Sequence, residues 1–161
     1  MRLALTAAAG VAMALMLVWE YFNGGVVSHH FLARRDMPAI SNWWGLLVTP
    51  ALTWFLLGRI EKRMADKRQV ILGFVFAFLF GAALATFFAT GHQEWCGHMV
   101  LTLPVLALFF AIYRAECVLG FVLGMTFIFG PILPVFAACI FATMGFIIYQ
   151  GVRFIVRKVK S

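Results

Sequence analysis

From residue 117 to residue 150 the chain carries no charged side chain and no histidine, and nothing constrains its fold more. As one helix this run would be about 51 Å long at a 1.5 Å rise per residue. The hydrocarbon core of a bilayer is only about 30 Å thick, so the run is too long even for a tilted span. Within it stands FGPILP, where Gly130, Pro131 and Pro134 interrupt helical hydrogen bonding. The expectation is two short spans joined at residues 130–134.

Four further apolar stretches precede it, at 3–22, 43–60, 69–90 and 99–113. The first three reach the roughly 20 residues that a span needs. The fourth is about 22 Å long if helical, and is expected to borrow a turn from the polar stretch before it. The chain is 64% hydrophobic and 12% charged, where a soluble domain has about 45–50% and about 25%. The expected fold is therefore an all-α, polytopic membrane helical bundle of about six spans, with both termini cytoplasmic and residues 1–161 forming a single transmembrane domain.

Six spans return the C-terminus to the side on which the chain begins. Of the 13 Lys and Arg residues, all but Arg34 and Arg35 then fall on that side, which the positive-inside rule makes cytoplasmic. A five-span chain would instead export the basic tail RFIVRKVKS. The formal net charge of +7 is thus read as topological, with some contact to anionic lipid headgroups and no nucleic-acid partner. Arg2 before an apolar run also fits a signal peptide, but the run ends in LVWEYFNGG without a small-x-small cleavage site, so an uncleaved anchor is expected. Trp19, Tyr21, Trp43, Trp44 and Trp95 fall near the expected outer boundary and Tyr113 and Tyr149 near the inner one, as aromatic belts do. Compact size and short loops point to a bacterial inner membrane.

The same topology puts all four histidines, His29, His30, His92 and His98, on the outer side. Glu20, Asp36, Glu94 and Cys96 join them there. In GHQEWCGH at 91–98, an extended backbone would place His92, Glu94, Cys96 and His98 on one side. A helical turn would instead pair His92 with Cys96 and Glu94 with His98 at i,i+4. Imidazole, carboxylate and thiolate suit zinc, with copper and haem iron as alternatives. The candidate ligands are His29, His30, His92, His98 and Cys96. Glu94, Glu20 and Asp36 are the candidate proton-transferring groups beside a metal-bound water. The spacing matches neither HExxH nor paired CxxC, and ordinary wet loops between spans are the plainer reading of the same residues.

Arg34 and Arg35 suit a phosphate or carboxylate headgroup, unless Asp36 neutralises one of them. Asn42 is a third candidate substrate contact, with a capping or structural role as its simpler alternative; Ser41 is expected to cap the second span. Asn23, Gly24 and Gly25 should form a sharp turn. Gly81 with Ala85, Ala85 with Ala89, and Gly120 with Gly124 are small-xxx-small pairs expected to bring helices together. Thr49, Thr53, Thr86, Thr102 and Thr126 are the mild polar residues within the spans, too few for an ion path.

The stretch EYFN at 20–23, followed by SHH at 28–30, resembles the Glu-x-x-Asn and Ser/His elements of the membrane hydrolase superfamily that contains alkaline ceramidases and progestin-type receptors. That resemblance implies a zinc-bound water cleaving a lipid amide or ester at the interface. It covers residues 20–30 alone, and the seventh span and terminal HxxxH of that superfamily are missing here. The leading expectation is a metal-dependent membrane enzyme, of hydrolase type, acting on a lipid or amphiphile. A metal-capture, transport or haem-binding accessory protein is the first alternative. A structural or assembly subunit is the second, its partners being membrane lipids, further copies of the chain or a membrane complex.

Overall fold

The computed structural model describes residues 1–30, 39–63 and 66–160, without the side chains of residues 29, 30, 39 and 160. Six helices run through the described residues: α1 (Arg2–Phe22), α2 (Gly45–Lys62), α3 (Lys67–Ala89), α4 (Gln93–Phe109), α5 (Ala115–Phe129) and α6 (Ile132–Lys160). The described residues hold little other regular structure. Between α1 and α2 lies a short antiparallel ladder of β1 (Ser28–His30) and β2 (Ala39–Ser41), with Ser28 opposite Ser41 and His30 opposite Ala39. A 3-10 turn at Asn42–Trp44 leads into α2.

Three helical stretches, Arg2–Phe22, Lys67–Ala89 and Ile132–Val159, are long and apolar enough to cross a membrane. Ala115–Phe129 is a shorter apolar helix. The remaining two dilute their apolar length with polar ends. Helix α2 finishes on Arg59, Glu61 and Lys62, and α4 starts on Gln93 and Glu94 with His98 one turn on. Large side chains such as Leu15, Phe76, Leu101 and Ile140 stand more than half exposed on the helices, as they would facing lipid and not water.

The expectation of two short final spans is corrected. Helix α5 is short, at 15 residues, but α6 has 29 and continues without a break through the basic tail. Pro134 is the third residue of α6, where the backbone N–H has no helical partner to lose and the ring is tolerated. The turn is made by Gly130 and Pro131 alone, Gly130 taking a left-handed φ of 65°. By contrast, α4 does borrow its first turns from GHQEWCGH, starting at Gln93.

Helices α3 and α5 form the centre of the molecule, running parallel. On α5 the absent side chains of Gly120 and Gly124 let the backbone carbonyls of Phe74 and Phe78 lie directly against it, while Gly81 of α3 meets Phe121 O, which a Cβ there would approach to 2.6 Å. Ala85 is fully buried in the same seam, but Ala89 is exposed. Close backbone approach is how helices associate where lipid is as apolar as their side chains. Helix α1 lies antiparallel on α2, with Gly10 against Pro50. At the far end of that pair the Arg2 guanidinium sits 3.8 Å over the Trp54 ring and donates to Trp54 O at 2.9 Å, in space left by Gly58.

Candidate functional site

At the start of α4 the helical alternative for residues 92–98 holds, but the expected ligand pairs do not converge. His92 is the N-cap residue, and its Nδ1 lies 3.0 Å from the Thr90 hydroxyl. His98 donates from Nδ1 to the backbone carbonyl of Glu94 at 2.7 Å, one turn back, and not to its carboxylate. Cys96 turns inward, its thiol 3.6 Å from Leu84 O on α3. His92, Glu94 and His98 are exposed while Cys96 is half-buried. Aromatic rings hold this turn in place: Trp95 stacks on Phe87 at 6.2 Å and lies 6.4 Å from the His98 ring. Among the described residues no group of three or more His, Cys, Asp and Glu is placed to hold a metal ion.

The better-built polar centre at this end of the molecule is Glu20. A carboxylate at the end of an apolar helix is costly unless both oxygens find donors, and here they do. Oε1 accepts from Asn42 Nδ2 at 2.8 Å and Oε2 from Val27 N at 3.1 Å, with Glu20 7% and Asn42 3% exposed. Val27 O in turn accepts from Asn42 N at 3.0 Å. Gly24 and Gly25, with φ of 119° and 100°, turn the chain back for this contact, and Gly25 N bonds Glu20 O at 3.0 Å. The ladder formed by β1 and β2 is thus rooted on both strands to one buried carboxylate. The Ser41 hydroxyl accepts from Trp43 N at 3.4 Å, capping the 3-10 turn that precedes α2.

Asn42 also packs against the α5–α6 turn, where its Oδ1 occupies the space that a side chain at Gly130 would need. Gly130→Ala is therefore expected to cost about 2–4 kcal/mol, combining a positive φ with overpacking. Thermal unfolding in detergent would read this. A melting temperature equal to that of the wild type would show that Asn42 does not seat against the turn.

Arg34, Arg35 and Asp36 lie outside the described residues, and His29 and His30 are placed by their backbone in β1. Sequence reasoning assigned Glu20 to proton transfer and Asn42 to capping or substrate without joining them. Their bond spans 22 positions, which no local pattern reveals. It missed a second buried carboxylate altogether. Glu116, in the first turn of α5, is 1% exposed and accepts from Arg63 at 2.7 Å, tying the end of α2 to the start of α5. Its other oxygen, Oε2, is buried without a donor among the described residues. The signal was there, because a carboxylate entering an apolar helix calls for a cation at the same depth.

The fold defines a class: an all-helical protein in which three helices have the length and hydropathy to cross a membrane. Comparison with protein-family models, with curated proteins and with solved structures returns no match. The resemblance to the membrane hydrolase superfamily thus rests on residues 20–30 alone.

Proposed function

We propose that the chain is an integral protein of a bacterial inner membrane, crossing it six times with both termini cytoplasmic, and that its working surface is the end bearing Glu20 and the histidines. The distribution of Lys and Arg supports the orientation. A cysteine placed at Lys62 should react with a membrane-impermeant thiol reagent only after the membrane is opened, and labelling of intact cells would reverse the orientation.

The working element is the ladder between α1 and α2. The observation that carries this reading is the buried Glu20–Asn42 pair, since a pair so costly to desolvate fixes both roots of one small hairpin. On it, His29 and His30 would supply imidazoles to a zinc-type ion, with His92 or His98 as a further ligand; the ion would supply an acidified water, and Glu94 would hold its proton. Cys96 is left out of that set because it faces α3. Arg34 and Arg35 hold the headgroup of a lipid or amphiphile, and the reaction is hydrolysis. Glu20 serves as the hairpin's anchor.

Elemental analysis with a visible spectrum tests this on the detergent-purified protein and on His29→Ala/His30→Ala and His92→Ala/His98→Ala variants. Near-stoichiometric zinc, lost from the first variant, is the expected result. Copper or a haem spectrum would move the reading to metal capture. No metal in any sample, with equal stability, would favour the second reading, an assembly subunit of a membrane complex. The absence of converging ligands among the described residues is what speaks for that reading.

A further inference from the structure

The far end of α6 carries a feature that the histidine surface does not use. At 29 residues the helix is about 43 Å long, some 13 Å more than a hydrocarbon core. Near its far end it meets an aromatic cluster: Tyr113 lies 5.2 Å from Phe146 and 5.8 Å from Tyr149. The Arg153 guanidinium then lies 4.8 Å from the Tyr149 ring centre. From Arg153 to Val159 its side chains are exposed among the described residues. Arg153, Arg157 and Lys158 are exposed, and so are Phe154, Ile155 and Val159, at 67%, 61% and 81%.

At 100° per residue, Ile155, Val156 and Val159 fall on one side of the helix and Arg153 and Arg157 on the adjacent one. Lys158 and Phe154 share the remaining flank. A helix end made only for water has no use for four large apolar side chains, and tilting α6 to shorten its reach would draw three cations towards the hydrocarbon. What satisfies both sides is a layer of anionic headgroups around the helix end, its phosphates meeting the cations and its carbon skeleton the apolar side chains. We infer that the end of α6 from Arg153 to Val159 is a binding surface for anionic phospholipid headgroups, with Arg153, Arg157 and Lys158 on the phosphates and Ile155, Val156 and Val159 against the carbon skeleton of the headgroup layer. This rests on the reading that α6 crosses a bilayer, but not on the number of spans or on which side is cytoplasmic.

The test reconstitutes the full chain into nanodiscs of phosphatidylcholine with a minor share of phosphatidylglycerol, the same on both faces. Native mass spectrometry then counts each lipid retained. The wild type should retain phosphatidylglycerol preferentially, less so as salt rises. Arg153→Gln/Arg157→Gln/Lys158→Gln should lower that preference roughly tenfold or more, about fivefold per charge before screening. Lys62→Gln/Lys67→Gln/Arg68→Gln, basic residues elsewhere at the same end, should leave most of it, and Arg153→Lys/Arg157→Lys should preserve it. Should the triple change impair insertion, Arg157→Gln alone decides, with a loss of roughly twofold or more. Equal retention in wild type and α6 variants, or equal loss in both triple variants, would overturn the inference. A chain that enters no bilayer at all would instead remove the membrane reading beneath it.

Discussion

Leucine at Gly120 or Gly124 is expected to unseat α5 from α3 and cost at least about 3 kcal/mol at each position, above the usual range for overpacking. The usual range reflects side chains that shift to make room, and here the obstructing atoms are backbone. Even a Cβ at either glycine would overlap the carbonyl of Phe74 or Phe78, and those carbonyls are fixed by the hydrogen bonds of α3. In a bilayer there is no hydrophobic reward for keeping helices together, and on the membrane reading the close van der Waals seam is most of what holds this pair. Gly81→Ala is the milder companion, since its Cβ would come within 2.6 Å of Phe121 O. Thermal unfolding and monodispersity in detergent would rank the three. A Gly124→Leu protein that melts with the wild type would mean that α3 and α5 do not touch along this face.

That seam also shows what a sequence of this kind reveals. The pairs Gly81/Ala85 and Gly120/Gly124 are recognisable as contact faces because small residues four apart have no other use on an apolar helix. What each face meets is not written in either helix. Periodicity fails further inside, because exposed positions on these helices are as apolar as the buried ones. Thr49, Thr53 and Thr126 turn out buried, while Thr86 and Thr102 are exposed, and nothing in their spacing separates the two groups. Ala89 repeats the spacing of Ala85 and yet is exposed.

The length of α6 was hidden by Pro134, whose effect depends on whether it falls in a first turn or a third. The start of α4 was legible as a helix, but not the destinations of its polar atoms. Cys96 bonds a carbonyl of the neighbouring helix and His98 one of its own.

The second large effect concerns the opposite end of the bundle. Replacing Arg63 by methionine is expected to cost about 2–4 kcal/mol, the penalty for leaving the buried Glu116 carboxylate without its cation, discounted because the Arg63 side chain is 32% exposed. Arg63 supplies the one donor that reaches Glu116 among the described residues, at 2.7 Å, and the carboxylate has no exposure with which to turn to water instead. Its Oε2 already lacks a donor, so loss of the guanidinium leaves both oxygens unpaired. The pair itself is a different matter from its parts. Arg63→Met/Glu116→Leu removes the buried carboxylate together with its cation, and such replacements are often neutral or stabilising. The double variant should therefore recover most of what the single one loses, read by thermal unfolding in the same detergent. If Arg63→Met costs less than about 1 kcal/mol, as an exposed pair would, Glu116 reaches solvent and the tie between α2 and α5 is not made. If the single variant falls by the full amount and the double one recovers nothing, the guanidinium holds α2 through contacts other than Glu116. Recovery in the double variant would show that packing alone can join these two helices, and that the ion pair fixes which depth of α2 meets the start of α5.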